Sequence, residues 1–411
     1  MRRIGDIAFA AIACLALLLP LLNVAAGALL DGYETKENSS LEGRAYRAAP
    51  EPSPESFASK EFQDQTEGFL ADHVPERDGV MLANASVQRT LIEAANLPFG
   101  FPAYHSFYGS DRVVLPEYRA IVQEPTTASS ADADALHAQA DALGALVGRH
   151  PSVQWRIALV DRTDVTRALP THGMVAQPAD YGFLQAELLD RLPAECIAVD
   201  LSNDDADEYF RKYFRTDHHW QIEGAVDAYA KTVSSLGKEP IDVEFFEVNA
   251  GPFYGSNARS GLFTGYADTI DDARFELGDL AITANEQDRP IDWLDAGYAE
   301  GFTHYSKADE FDDVYGGYFH GGPAMLHIVN RDIPGGETIL LVADSYSNNV
   351  EDLFACNYRD VYVVDPRHFA GSDYAGWDID SFIEQEGVSA VVFLCSANNF
   401  ADDIDILLPN G

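Results

Sequence analysis

The chain is poor in basic residues. Its 411 residues include 27 lysines and arginines against 67 aspartates and glutamates, a formal net charge of −40. Nucleic-acid phosphates are bound by clustered cations, so this surplus of carboxylates excludes DNA and RNA as expected partners. The acidity reads instead as a solvated surface. Cysteine is scarce too: Cys14, Cys196, Cys356 and Cys395 are the four, with no C-x-x-C pair. That spacing supports no zinc ribbon, and buried free thiols are expected, with one disulfide left open. No internal repeat is found.

Charge is also missing locally. Nothing charged lies between Asp6 and Asp31, and the apolar run of residues 7–30 is interrupted by Pro20 and Asn23. This is about the roughly 20 residues needed to span a bilayer, so residues 1–31 are expected to form a signal anchor or transmembrane segment. The small residues Ala25, Ala26, Gly27 and Ala28 leave cleavage as the alternative. With Arg2 and Arg3 in front, either version sends the remainder out of the cytoplasm, membrane-anchored with a single pass or secreted and periplasmic.

What the chain does have is a large apolar fraction, 46% hydrophobic and 11% aromatic. Residues 32–100 read as a polar linker, then short amphipathic helices over 56–95. Residues 101–411 alternate helices and apolar strands, which predicts an α/β domain built on a parallel sheet. Helices are expected at 131–147, 184–192, 222–236, 347–355 and 379–386, and strands at 153–160, 196–201, 339–343, 361–364 and 388–394. The Gly-, Asp- and aromatic-rich stretch at about 245–305 breaks this rhythm as an irregular or β-rich insertion. In open α/β sheets ligands bind outside the carboxyl ends of the strands. Here those ends carry Asp344-Ser345, residues 365–368 and residues 396–399.

Two clusters carry possible chemistry. Residues 339–350 read I-L-L-V-A-D-S-Y-S-N-N-V, a buried strand running into Ser345. A hydroxyl there is either a nucleophile beside helix N-terminal N–H groups or simply the helix N-cap. Residues 215–220 read R-T-D-H-H-W. In an extended segment Asp217 and His219 project to one side, so a carboxylate can orient an imidazole that deprotonates a serine. A metal site or a solvated loop are the alternatives for two adjacent histidines beside an acid. His304, His320 and His327 read as structural or surface residues.

The block 216–220 followed by Asp344-Ser345-Tyr346 resembles the DHHW family. It is also similar to the SGNH-hydrolase-like domains of the alginate O-acetylation proteins AlgX and AlgJ. Weaker likenesses lie at Glu42-Gly43-Arg44, Ala71-Asp72-His73, Tyr108-Gly109 and residues 364–367, so the resemblance runs from about Leu41 onward. It implies an SGNH-hydrolase-like (flavodoxin-like) fold with helices on both faces of a parallel sheet. It also implies a Ser-His-Asp site for O-acyl transfer. By position Ser345 is the nucleophile, His219 the base and acid, and Asp217 the residue that orients His219. Asn398 or Asn399 fits the oxyanion-hole asparagine. Where a glycine completes that hole in SGNH enzymes, Arg367 and Gly371 are the candidates, and Arg367 is also a candidate clamp for a substrate carboxylate. Trp220 packs beneath the loop or stacks on a pyranose ring. Two departures stand out: Ala343 replaces the glycine of G-D-S, and the Asp-His pair precedes the serine.

The function so implied is an extracytoplasmic O-acetyltransferase acting on a cell-envelope or exported polysaccharide. An acetyl donor supplied by a membrane-bound acyltransferase is implied as well, and no metal or organic cofactor is required. A carbohydrate acetyl esterase and a catalytically silent polysaccharide-binding or assembly protein are the alternatives.

Overall fold

The computed structural model describes residues 18–30, 36–125, 130–171, 181–307 and 309–402. Its centre is one eight-stranded sheet. In chain order the strands are β1 (Gln154–Val160), β2 (Cys196–Ala198), β3 (Leu280–Ala284), β4 (Gln287–Arg289), β5 (Met325–Asn330), β6 (Thr338–Ala343), β7 (Asp360–Val364) and β8 (Val388–Ser396), arranged 4-3-5-7-6-8-1-2.

Strands β7, β6, β8, β1 and β2 are parallel, as the apolar runs predict. Strands β5, β3 and β4 extend the sheet antiparallel, so it is mixed rather than parallel throughout. The reason is local. β3 and β4 come from the insertion and are joined by Asn285-Glu286, both with positive φ (47° and 62°), the geometry of a type I′ hairpin turn. The insertion is therefore part of the main sheet.

Strand β6 has no exposed residue. Ile339, Leu341 and Ala343 pack on one face with Ala225, Tyr229 and Val233 of the helix Ile222–Ser235. Leu340 and Val342 pack on the other with Leu143 of the helix Ser130–Arg149 and Ile383 of the helix Ile379–Glu386. Helices thus cover both faces, and burial on both sides is why this strand reads as a continuous apolar run.

The polar linker is tied down. Residues Asn38–Ser39 and Arg44–Ala45 form a small hairpin, and Arg44 forks onto Asp72 at 2.9 and 2.6 Å. The helices Pro54–Ala58, Glu61–Asp72 and Arg77–Asn96 follow. A three-stranded sheet comes next, Tyr104–His105, Arg112–Leu115 and Ala120–Gln123. From it Ile121 N–H donates to the Arg215 carbonyl at 2.8 Å, bracing the segment that carries Asp217 and His219.

Residues 18–29 are helical, and Asn23 Nδ2 donates to the His73 carbonyl at 3.1 Å. Among the described residues no helix is long and apolar enough to cross a membrane. Residues 1–17 of the expected anchor lie outside the described residues, and those described lend the anchor no support. Cys196 and Cys356 are free thiols, Cys395 is buried, and Cys14 lies outside the described residues.

Candidate active site

Ser345 stands immediately beyond the carboxyl end of β6 and is partly exposed. The helix expected from residue 347 does not follow directly. A 3-10 turn, Ser345–Ser347, comes first, and the helix Glu351–Ala355 begins later. The intervening side chains bond outward: Asn348 Nδ2 donates to the His320 carbonyl at 3.1 Å, and Asn349 Oδ1 accepts from Trp220 Nε1 at 2.8 Å. Asp344 caps the turn, accepting from Tyr346 N–H at 3.1 Å. Its other oxygen accepts from Ser396 N–H at 2.9 Å and Asn399 Nδ2 at 2.7 Å. One carboxylate thereby laces the ends of β6 and β8. Ala343 is buried in β6, its methyl part of the core.

The segment that meets Ser345 is a loop closed by a bridge between Tyr213 and Trp220. Asp268 holds it from inside, accepting from Arg215 N–H at 2.9 Å, Thr216 N–H at 2.7 Å and the Thr216 hydroxyl. Burial pushes the Asp268 carboxyl up to about 6. Asp217 and His219 are not on an extended strand. Asp217 Oδ1 accepts from His219 N–H at 3.0 Å, a side-chain turn that folds the carboxylate back onto the residue two positions on. The same oxygen accepts from His219 Nδ1 at 2.7 Å, and His219 Nε2 lies 2.8 Å from Ser345 Oγ.

Because an ionised carboxylate only accepts, Nδ1 carries the proton and Nε2 is free to accept the serine hydroxyl. Burial by itself raises the Asp217 carboxyl. The His218 and His219 rings, the His219 hydrogen bond and the Ser256 N–H outweigh burial and hold it well below the ordinary carboxylate range.

Three residues without a sequence signal hold this chain in place. Tyr315 stacks on the His219 imidazole, ring centres 3.8 Å apart and planes within 8°, and its hydroxyl donates to the Ser345 carbonyl at 3.0 Å. Ser256 N–H donates to Asp217 Oδ2 at 2.6 Å, and its hydroxyl lies 2.6 Å from His218 Nδ1. A Cβ on Gly255 would sit 2.4 Å from Asp217 Cβ, so only glycine allows the insertion to pass this close. These residues work across tens of positions, and no short motif announces them.

The other candidates fall as follows. Trp220 is 1% exposed, bonded to Asn349 and edge-on to Tyr346, so it packs beneath the loop and offers no face to a sugar. Arg367 forks onto Asp365 at 2.8 and 2.6 Å, which leaves it paired within its own turn rather than poised as a substrate clamp. Asn399 is tied to Asp344, and Asn398 beside it has a buried side-chain oxygen with no hydrogen-bond partner among the described residues. His320 is buried against Glu351 at 3.0 Å, and His327 pairs with Asp360 at 3.0 Å, both structural contacts. His304 contacts the Thr303 hydroxyl. Asp217, His218 and His219 could offer three ligand atoms within 4.8 Å of one another, but a metal there would break the chain from Asp217 through His219 to Ser345.

A mixed α/β sheet with a buried Asp-His pair reaching a serine at a strand end is the class that fold and site define. Residues 183–364 match the family model described as DHHW protein, so the likeness to that family holds over this stretch. No curated protein sequence matches the chain. Among solved structures the chain is similar to Bacillus cereus PatB1 with a sulfonyl adduct: 18% identity, 72% of this chain and 98% of that one covered, TM-score 0.55. It is also similar to a DHHW family protein from Eubacterium siraeum, with 16% identity, 72% and 94% coverage and TM-score 0.53. The O-acetyltransferase domain of Pseudomonas putida AlgJ is matched at 14% identity, 71% and 93% coverage and TM-score 0.39.

Proposed function

We propose that this chain transfers an acetyl group from an ester donor to a hydroxyl of a polysaccharide outside the cytoplasm, through an acyl-enzyme on Ser345. The observation that carries this reading is the continuous chain from Asp217 to His219 Nδ1 at 2.7 Å and from His219 Nε2 to Ser345 Oγ at 2.8 Å. As Ser345 Oγ attacks the donor carbonyl, its proton passes to Nε2, and the negative charge moves to the carbonyl oxygen. The Ser345 N–H and the Asn398 side chain are the candidate donors to that oxyanion. His219 then protonates the departing alcohol, leaving acetyl-Ser345.

In the second half His219 takes a proton from the acceptor hydroxyl, whose oxygen attacks the acyl carbon. The ester bond to Ser345 breaks and the proton returns to Oγ. Asp217 stabilises the imidazolium at both stages. Water in place of the sugar makes the same site an esterase. The extracytoplasmic location is supported by the charge pattern of residues 1–31, and an acetyl donor arriving through a membrane-bound acyltransferase is part of the proposal.

The test is acetyl-ester turnover by the purified chain, with and without an oligosaccharide acceptor. Ser345→Ala and His219→Ala are expected to lower kcat by at least about 10³, as removal of a serine-triad member does. Variants that turn over every acetyl ester at the wild-type rate sink the proposal. Acetylated sugar in the product separates transferase from esterase. PatB1 was solved with a sulfonyl adduct, so a sulfonyl fluoride is the matching probe, and its expected attachment point here is Ser345.

A further inference from the structure

We propose that the cleft between the N-terminal segment and the insertion is the acceptor subsite, and that it takes a neutral carbohydrate in preference to a polyuronate. This rests on the acyl-transfer reading and deepens it. The cleft has a volume of about 540 Å³ and is lined in part by Glu42, Met81, Phe107, Ser256, Arg259 and Asp313. Sites for small ligands run to roughly 300–1,000 Å³, so there is room for a short oligosaccharide.

Two of these residues hold the site described above. Ser256 touches Asp217 through its N–H and His218 through its hydroxyl, each at 2.6 Å. Asp313 accepts from Gly316 N–H at 3.2 Å and so caps the helix Val314–Tyr318, whose Tyr315 stacks on His219. An occupant of the cleft therefore lies against the supports of both the acid and the base.

The lining suits a sugar. Hydroxyl, carboxylate and guanidinium groups match ring hydroxyls, and the Phe107 ring and Met81 thioether match their C–H faces. Glu42 is fixed by Arg44 and Arg77, each at 2.8 Å, which orients an acceptor oxygen without adding a free cation. Around the cleft the carboxylates of Glu42, Asp72, Asp78 and Asp313 outnumber the guanidiniums of Arg44, Arg77 and Arg259, and on a chain of net charge −40 they disfavour a chain of uronates.

The experiment is isothermal titration of the full-length Ser345→Ala chain, which removes turnover. Cellotetraose, chitotetraose and tetraguluronate are titrated at low salt and at about 0.15 M, where charges are screened beyond about 8 Å. At least one neutral tetramer is expected to bind, with the uronate at least tenfold weaker and the gap narrower at higher salt. Met81→Trp fills the cleft and is expected to abolish binding, and Arg259→Gln, which also gives up the bond from Arg259 Nη1 to the Phe311 carbonyl, to weaken it at least fivefold. No binding of either neutral tetramer, uronate binding as tight as the neutral tetramers, or wild-type affinity in both variants overturns the proposal. Acetyl-ester turnover of the unsubstituted chain is measured alongside. Binding without turnover sinks the acyl-transfer reading and leaves the cleft, whereas turnover without binding sinks the cleft alone.

Discussion

Tyr315 is the residue whose contribution is least expected and most easily measured. Its ring fixes the plane of His219 while its hydroxyl fixes the carbonyl of Ser345, so one side chain sets the geometry between base and nucleophile. It is argued to act through those two residues and is a positioning residue. Tyr315→Phe keeps the stack and loses one hydrogen bond, worth about 0.5–1.5 kcal/mol, so kcat on an acetyl ester is expected to fall by up to about tenfold. Tyr315→Leu removes the stack as well and should fall further, with KM held in both. Steady-state kinetics decide it: a KM rise with kcat intact would place Tyr315 in substrate binding, and wild-type kinetics for Tyr315→Leu would remove it from the account.

At the scale of elements, the site is where the β6 turn, the loop between Tyr213 and Trp220, and the insertion meet. Gly255 is a close approach between the last two, beside the bonds from Ser256 and Asp268. Gly255→Ala puts a methyl against the Asp217 backbone and Cβ, which must shift to relieve it. The expected result is a loss of acetyl-ester kcat of about 10²-fold, the scale of a small misplacement in catalytic geometry, with the far-ultraviolet spectrum unchanged. Full activity in this variant contradicts the packing described.

The same elements show what a sequence can reveal. β6 was legible because burial on both faces leaves a continuous apolar run, and Asp217, His219 and Ser345 because their spacing resembles a known family. Gly255, Ser256 and Tyr315 were not, since their roles are contacts across the insertion and leave no periodicity. The outer antiparallel edge of the sheet was hidden for a similar reason: β3 and β4 are short strands inside a stretch without pattern. The helix expected from residue 347 is cut short because Asn348 and Asn349 find tertiary partners, which local propensity cannot anticipate.

For the whole molecule, buried carboxyls set the pH dependence of stability. Burial pushes Asp268 and Asp352 up to about 6, against 3.8 for the ordinary side chain. Between these values the native state binds more protons than the unfolded chain, so stability falls as pH rises from about 4 to about 6 and levels off above. Asp217, held low, adds the opposite slope at more acid pH, where its contribution is lost as the carboxyl protonates, and His218, which burial holds well below its ordinary range, adds the same opposite slope up to about 6.5 without outweighing the two raised carboxyls. Mutual repulsion in a chain of net charge −40 acts in the same direction as the raised carboxyls. The urea midpoint is expected to be higher at pH 5 than at pH 7.5, and Asp352→Asn to shrink the difference. A midpoint that rises with pH in both proteins is incompatible with this.

The central claim, an acyl group carried by Ser345 and placed there by His219, is tested most directly by trapping it. The wild-type chain is mixed with an acetyl ester, quenched in acid within the first turnover, digested and read by mass spectrometry. One acetyl group is predicted on the peptide containing Ser345, absent from Ser345→Ala and strongly reduced in His219→Ala. Turnover that proceeds with no acetyl on Ser345, or with the label on another residue, contradicts the account.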